Sequence, residues 1–232
     1  MENIVYFVLA ALIGYICGAI PFGFIYVYWR EGVDLRGVGS GRTGGTNSLR
    51  AAGLGVGIVT TISDVLKGFA AVWLSRYFLG DGVGETLIPW LSVTAGAFSV
   101  IGHNWSVFLK WRGGAGTGPN VGWATAVWLP MLPIAAVVML LMMLGVGMAS
   151  VASITMGAII PIMFIILYFS GVPIYSETMA YMVGGLTTLS IVVWALRPNI
   201  KRLMAGNERV VGPRAKRIQK KEEAQARVKE PS

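Results

Sequence analysis

Between Gly113 and Leu196 the chain has no lysine and no arginine, and Glu177 is the single charged side chain in those 84 residues. A soluble domain carries about a quarter charged residues. The absence therefore excludes an ordinary water-facing fold and calls for lipid as the solvent of the long apolar runs. Cysteine is nearly absent too: Cys17 alone permits no internal disulfide. Histidine occurs once, at His103. One His and one Cys exclude a zinc site of the usual kind, and no metal is implied. A Ser-His-Asp set would need His103 as its base. There is no Walker motif, and no reading motif for nucleic acid accompanies the basic charge. No Lys or Arg precedes Arg30, so the first apolar segment lacks the basic start of a signal peptide and reads as a retained span.

What is present is charge confined to a few places. The tail from Arg197 to Ser232 holds eleven Lys/Arg and four Glu, or +7 of the chain's +8. A basic segment beside a span reads as a cytoplasmic tail attracted to anionic lipid. Apolar segments run over 5–28, 54–79, 87–107 and 178–196, with Asp64 and Lys67 one turn apart inside the second. Lys/Arg follow the first, third and last segments, whereas 80–85 carries only acids. That places the N-terminus outside and the 30–50 loop, the 102–120 loop and the C-terminus inside. Residues 121–169 must then cross an odd number of times. Breaks near Pro130/Pro133 and Gly145/Gly147 favour three short or tilted crossings there. The predicted fold is an all-α polytopic membrane bundle of about seven crossings, or about five if 121–169 holds one crossing and a re-entrant piece. Residues 1–208 are expected to form the membrane domain and 209–232 a basic cytoplasmic tail, helical or disordered.

Two loops on the inner face carry candidate chemistry. Residues 37–50 contain five glycines and five hydroxyl or amide side chains around Arg42 and Arg50. Glycine lets backbone N–H groups approach an anion. Ser40, Thr46 and Asn47 supply hydrogen bonds, and the arginines supply forks for phosphate. A flexible connector with inside-facing arginines is the plain alternative. Residues 102–120 repeat the theme with Lys110, Arg112, Gly113, Gly114 and Gly116. His103 reads more readily as a hydrogen-bonded structural residue than as a base. Asp64 and Lys67 read as an intramembrane ion pair, structural or functional.

Four stretches, taken together and in order, resemble the bacterial integral-membrane glycerol-3-phosphate acyltransferases of the PlsY type. They are Ser40-Gly-Arg-Thr-Gly-Gly-Thr-Asn-Ser-Leu-Arg50, Asp64-Val-Leu-Lys-Gly68, Gly102-His with Phe108-Leu-Lys-Trp-Arg-Gly-Gly-Ala-Gly116, and Asn199-Ile-Lys-Arg-Leu203 with Gly206-Asn-Glu208. The resemblance implies a multi-pass protein of the bacterial cell membrane whose active site faces the cytoplasm. It implies no cofactor, and as partners glycerol 3-phosphate, acyl-phosphate and membrane lipids, without nucleic acid. The acyl group would pass to the 1-hydroxyl, giving lysophosphatidic acid and phosphate, the first step of phospholipid synthesis. By position Ser40, Arg50, Asn199 and Glu208 correspond to catalytic residues. Gly113, Gly114 and Gly116 correspond to the loop that binds glycerol phosphate. Arg42, Thr46, Asn47, Lys67, His103, Lys110 and Arg112 join the substrate-binding set.

The chain departs from the family pattern where Arg42 replaces the usual Asn, Gly45 an Ala, Ala115 a Lys, Leu196 a frequent His, and Thr117-Gly-Pro119 a Val-Ala-Thr. Losing a Lys and a His from a phosphate site costs a few kcal/mol unless replaced, and Arg42 is the candidate replacement. Two other readings remain beside the enzyme: a paralogue that binds phospholipid headgroups, and a small transporter of a phosphorylated solute. The second calls for polar groups at the bilayer midplane, which 121–169 nearly lacks.

Overall fold

The structure, a computed structural model, describes residues 2–172, 175, 179–212, 214, 215, 217 and 220. Glu177 and most of the 209–232 tail lie outside them. The described residues are helical, without strands. The elements are α1 (Glu2–Ala19), α2 (Phe22–Glu31), α3 (Gly45–Leu79), α4 (Ile88–Asn104), α5 (Thr117–Val127), α6 (Met131–Gly145), α7 (Ala149–Phe169), α8 (Ala180–Ala195) and α9 (Arg197–Met204). Among the described residues Asn3–Glu31, Gly45–Gly82, Glu85–Leu109 and Ala149–Phe169 are long and apolar enough to cross a membrane. A fifth such unit arises if α8 and α9, bent by 65°, count as one broken span.

The apolar segment expected over 5–28 as a single span is interrupted. Pro21 offers no N–H and disfavours helical backbone at the residue before it, so α1 ends at Ala19 and α2 restarts at Phe22. α3 is kinked at Ala52 and Gly53, where Gly53 takes φ 83° and ψ 177°. Only glycine adopts that backbone without strain. The short piece before the kink carries the end of the first glycine-rich loop, and the long piece from Leu54 carries the apolar span. Residues 121–169 divide into α5, α6 and α7, with breaks at 128–130 and 146–148. Those breaks are close to the prolines and glycines that the sequence marks.

Small residues set the helix spacing. Gly14 and Gly18 lie on one face of α1, and a Cβ on either would fall on the backbone of Ala95 or Ser99 in α4. Gly102 of α4 meets the Tyr15 carbonyl in the same way. Such faces let helix backbones touch, which is how helices gain dispersion contacts in lipid. α3 and α5 repeat the arrangement: Gly68 abuts the Pro119 backbone and Gly122 the Val65 carbonyl. Between α5, α7 and α8 the rings of Trp123 and Phe164 stack at 5.5 Å, and Tyr181 lies 5.5 Å from Phe164.

The two ends of the bundle differ. At one end Arg76 of α3 donates to Ser92 Oγ (2.7 Å) and Tyr181 Oη (3.2 Å). Tyr175 reaches the Val127 carbonyl there. At the other end Val211 N–H donates to the Gly147 carbonyl (2.7 Å) and Arg214 to the Val146 carbonyl (2.8 Å). α5 therefore runs from the second end toward the first, and the α6–α7 turn returns to the second. Exposed aromatic residues ring both ends: Trp73, Tyr77, Phe78 and Trp90 at the first, and Tyr28, Trp29, Trp111 and Trp194 at the second. These are the belts expected at lipid–water interfaces.

Substituting Gly68→Ala forces α3 from α5 and should lower stability by about 1–3 kcal/mol. Gly80→Ala, with open space around a helical backbone, should be neutral. Thermal unfolding of the two variants in one detergent tests the difference.

Candidate functional site

The first loop is built around the Asn47 side chain, which is buried. Its Nδ2 donates to the Val38 and Arg42 carbonyls (2.9 Å each) and lies 3.3 Å from the Leu35 carbonyl, and its Oδ1 accepts from Ser40 N–H (3.1 Å). A Cβ at Gly39 would fall on that Oδ1. The loop begins at a small turn where Asp34 accepts from Arg36 N–H, and Arg36 Nη1 reaches across to the Leu109 carbonyl (3.2 Å). Gly45 also lacks room for a methyl group, because Thr61 Oγ1 stands there.

The second loop is held from beneath by an ionic clamp. Lys67 of α3 lies 2.9 Å from Asp64 Oδ1 and 2.7 Å from His103 Nδ1, and donates to the Ile20 carbonyl (3.0 Å). An ammonium only donates, so Nδ1 accepts and Nε2 of His103 carries the ring hydrogen. Gly114 packs on that side of the imidazole, where a Cβ would meet Nε2. The N–H groups of Gly113 and Gly114 donate to the Asn104 and His103 carbonyls (3.1 and 2.9 Å). Those two amides are thus committed to the backbone rather than free to cradle an anion. Gly116 turns the chain at φ 82° into α5, which no side chain caps. Thr117 Oγ1 and both polar side-chain atoms of Asn104 are buried without a hydrogen-bond partner among the described residues.

A third segment closes the site. Asn199 Nδ2, on α9, donates to Glu208 Oε1 (2.8 Å), which also accepts from Ser150 Oγ (2.9 Å). Glu208 Oε2 accepts from Arg202 Nε (3.0 Å). Burial pushes the Glu208 carboxyl up, but the hydrogen bonds from Asn199, Ser150 and Arg202 outweigh it and hold it below the usual carboxylate range. Arg42 joins all three segments. Its Nη1 donates to the Gly114 carbonyl (2.8 Å), and its Nη2 to the Ala195 carbonyl and to Asn199 Oδ1 (3.1 Å). Burial, followed by the charge of Arg202, lowers the proton affinity of Arg42, and Glu208 partly offsets this.

Together these segments enclose a cavity of about 690 Å³, within the usual range of ligand sites. Its polar end is lined by Ser40, Arg42, Thr46, Asn47, Arg50, His103, Thr117, Ser150, Asn199, Glu208 and Arg209. An apolar trough continues between Leu54, Ile58 and Ile62 of α3 and Ala136, Met139 and Leu140 of α6. Two acids line the cavity, and both are paired: Asp64 with Lys67 and Glu208 with Arg202. Arg42, Arg50 and Arg209 on the wall have no carboxylate within ion-pair distance among the described residues. The site is a cationic mouth opening on a greasy groove.

Ser40, Arg42, Thr46, Asn47, Arg50, His103, Asn199 and Glu208, singled out from the sequence, converge on this wall. Lys67 stands behind it. Gly113, Gly114 and Gly116 shape the second loop without lining the cavity, which Ala115, Thr117 and Gly118 do instead. Lys110 and Arg112 are exposed and lie outside the cavity wall. Ser150 and Arg209 were not singled out, and Thr117 only through the Thr117-Gly-Pro119 departure. Ser150 sits in an apolar stretch with no motif to mark it. Arg209 adjoins Glu208 and was readable only as part of a basic tail.

Residues 8–206 match the family model described as glycerol-3-phosphate acyltransferase. The chain is 36% identical over 222 residues to glycerol-3-phosphate acyltransferase 3 of Dehalococcoides mccartyi, covering 90% of this chain and 97% of that one. It is 37% identical over 212 residues to the glycerol-3-phosphate acyltransferase of Rubrobacter xylanophilus, covering 90% and 96%. Its fold is similar to the crystal structure of PlsY, an integral membrane glycerol 3-phosphate acyltransferase, in the glycerol 3-phosphate form. The TM-score is 0.74 at 30% identity, over 89% of this chain and 96% of that one. The lysophosphatidic acid form gives 0.72 at 28% identity, over 89% and 95%.

The Glu208 cluster has a pH signature. A carboxyl whose pKa is lower in the fold than in the unfolded chain stabilises fully above the ordinary glutamate value of about 4.3. That contribution is lost as pH falls through the lower folded value. Glu208→Gln should therefore flatten the acid limb of stability below about pH 4.3, while lowering stability at neutral pH. Thermal midpoints measured across pH in wild type and variant check both.

Proposed function

This chain belongs to the glycerol-3-phosphate acyltransferase family, and from that premise we propose that it moves a fatty acyl group from an acyl-phosphate to the 1-hydroxyl of glycerol 3-phosphate, releasing lysophosphatidic acid and phosphate. The observation that carries the reading is the continuity of the cavity, with three arginines at one end that have no ion-pair partner among the described residues and an apolar trough at the other. Both substrates bear phosphate and one bears a chain, so one cavity accommodates the pair.

In this reading Ser40, Thr46 and Arg50 hold one phosphate. Arg42, Arg209, Thr117 and the N-terminus of α5 face the other. The attacking hydroxyl forms a bond to the acyl carbon, and the bond from that carbon to the phosphate oxygen breaks. The electron pair leaves on phosphate, where the guanidinium charges stabilise it. The hydroxyl proton passes to a phosphate oxygen, so no protein nucleophile takes part. Catalysis then rests on positioning and charge stabilisation. Asn199 and Glu208 order the third segment around the reacting groups. Asn47, with its polar atoms already engaged, shapes the first loop, and Lys67 with His103 supports the second. Lys110 and Arg112 contribute field rather than contact.

The same reading gives seven crossings in a bacterial membrane: one from α1 and α2 together, one each from α3 and α4, three from α5, α6 and α7, and one from α8 with α9. Support comes from the placement of the α6–α7 turn at the same end as the loops, and of the C-terminus of α5 at the other. The N-terminus is then outside, and the site and C-terminus are cytoplasmic.

Purified protein given glycerol 3-phosphate and palmitoyl-phosphate should release phosphate only when both are present. Ser40→Ala should lower kcat about a hundredfold, as for loss of one donor to a developing anion. Release without glycerol 3-phosphate, or none from folded protein, would overturn the proposal. Arg42→Asn restores the residue usual in the family, yet here it removes the link among Gly114, Ala195 and Asn199, and it should cripple activity. Wild-type rates in that variant would show that Arg42 is dispensable.

A further inference from the structure

On the outer face of the bundle, in the angle between α8 and α9, lies a second, shallower groove of about 590 Å³. Leu189, Ser190, Val193 and Trp194 of α8 and Arg197, Ile200 and Lys201 of α9 line it, and it shares no lining residue with the catalytic cavity. We propose that this groove binds one anionic phospholipid, with an acyl chain along Leu189 and Val193 and the headgroup phosphate between Arg197 and Lys201.

Depth, charge and shape each support that occupant. Trp194 is 58% exposed and sits at the end of an apolar membrane helix, at the level where indole marks the lipid headgroups. The groove below it is a hydrocarbon surface, and that above it is cationic. Arg197 and Lys201 are four residues apart on α9 and so share one helix face. Both are exposed, and neither has a carboxylate within ion-pair distance among the described residues. The neighbouring acid, Glu208, is already held by Arg202. No acid lines the groove, so a single phosphodiester meets two unpaired cations.

The pairing also discriminates against zwitterionic lipid. A quaternary ammonium headgroup would seek an aromatic face. The face of Trp194 is covered by the Arg197 guanidinium, 3.8 Å from the ring centroid. A choline thus finds the ring occupied and a like charge beside it. A lipid without a cationic headgroup meets no such opposition.

The test is quenching of Trp194 fluorescence in lipid nanodiscs by phospholipids brominated on their acyl chains. Phosphatidylglycerol is compared with phosphatidylcholine at equal mole fraction, and Trp194→Phe isolates the signal from the other indoles. The anionic lipid should quench the Trp194 component at least about fivefold more effectively, the preference expected from even one interfacial cation. Arg197→Gln with Lys201→Gln should bring the ratio near one while leaving acyltransferase activity in neutral detergent unchanged. Equal quenching by both lipids overturns the proposal, as does a preference that survives the double substitution. Protection of Trp194 from both lipids also overturns it, because a second protein copy then covers the groove. Should the double variant fail to fold, the wild-type comparison of the two lipids decides by itself.

Discussion

The bundle depends on one buried ammonium. Lys67 bonds the Ile20 carbonyl at the α1–α2 junction and His103 Nδ1 of α4, and is ion-paired with Asp64 of α3. A charge removed from water and left unmet costs several kcal/mol, and breaking one partner of such a set is strongly destabilising. The clamp therefore ties three elements to a single point. The Ile20 carbonyl is available because Pro21 ends α1 there. The His103 ring, oriented by Lys67, is the surface on which Gly114 lies. From Gly114 the order passes through Arg42 to Ala195 and Asn199, so the placement of the third segment traces back to Lys67.

Around this point the site is divided by depth. The loops, the short piece of α3 before its kink and the Asn199–Glu208 cluster supply polarity at one level. α3 beyond Gly53 and α6 supply a hydrocarbon wall below it. The kink is what lets one chain segment serve both levels. A straight helix from Gly45 would carry Arg50 away from Ser40 along a single axis. Acyl transfer between a soluble and a lipid substrate needs this division, because each half of the reaction remains in the solvent that suits it.

The span pattern was legible where charge and helix-breakers punctuate the sequence. The start of the long apolar piece at Leu54, the breaks in 121–169 and the Asp64–Lys67 pair were all readable. The interruption at Ile20–Pro21 was marked by its proline but passed over, because hydropathy runs unbroken across it. α9 escaped notice because it is short and polar and gains its place from Asn199 and Arg42 rather than from periodicity. For the site, residue types in glycine-rich loops pointed to the right segments but not to the right atoms. Asn47 and the Gly113 and Gly114 amides look free in sequence and are engaged in the fold. Ser150 looks unremarkable, and its position follows from long-range packing that a linear reading does not contain.

The three arginines at the cavity mouth outnumber the acids left to answer them, since Glu208 is already held by Arg202 and Asp64 by Lys67. Like charges held close by a rigid frame repel, and the nearby Glu208 carboxylate offsets this only in part for Arg42 and Arg50. An arriving phosphate is therefore more than a guest. It is the counter-ion the fold omits, so occupancy and folding stability are linked. The same field that draws in a phosphorylated ligand slows its departure.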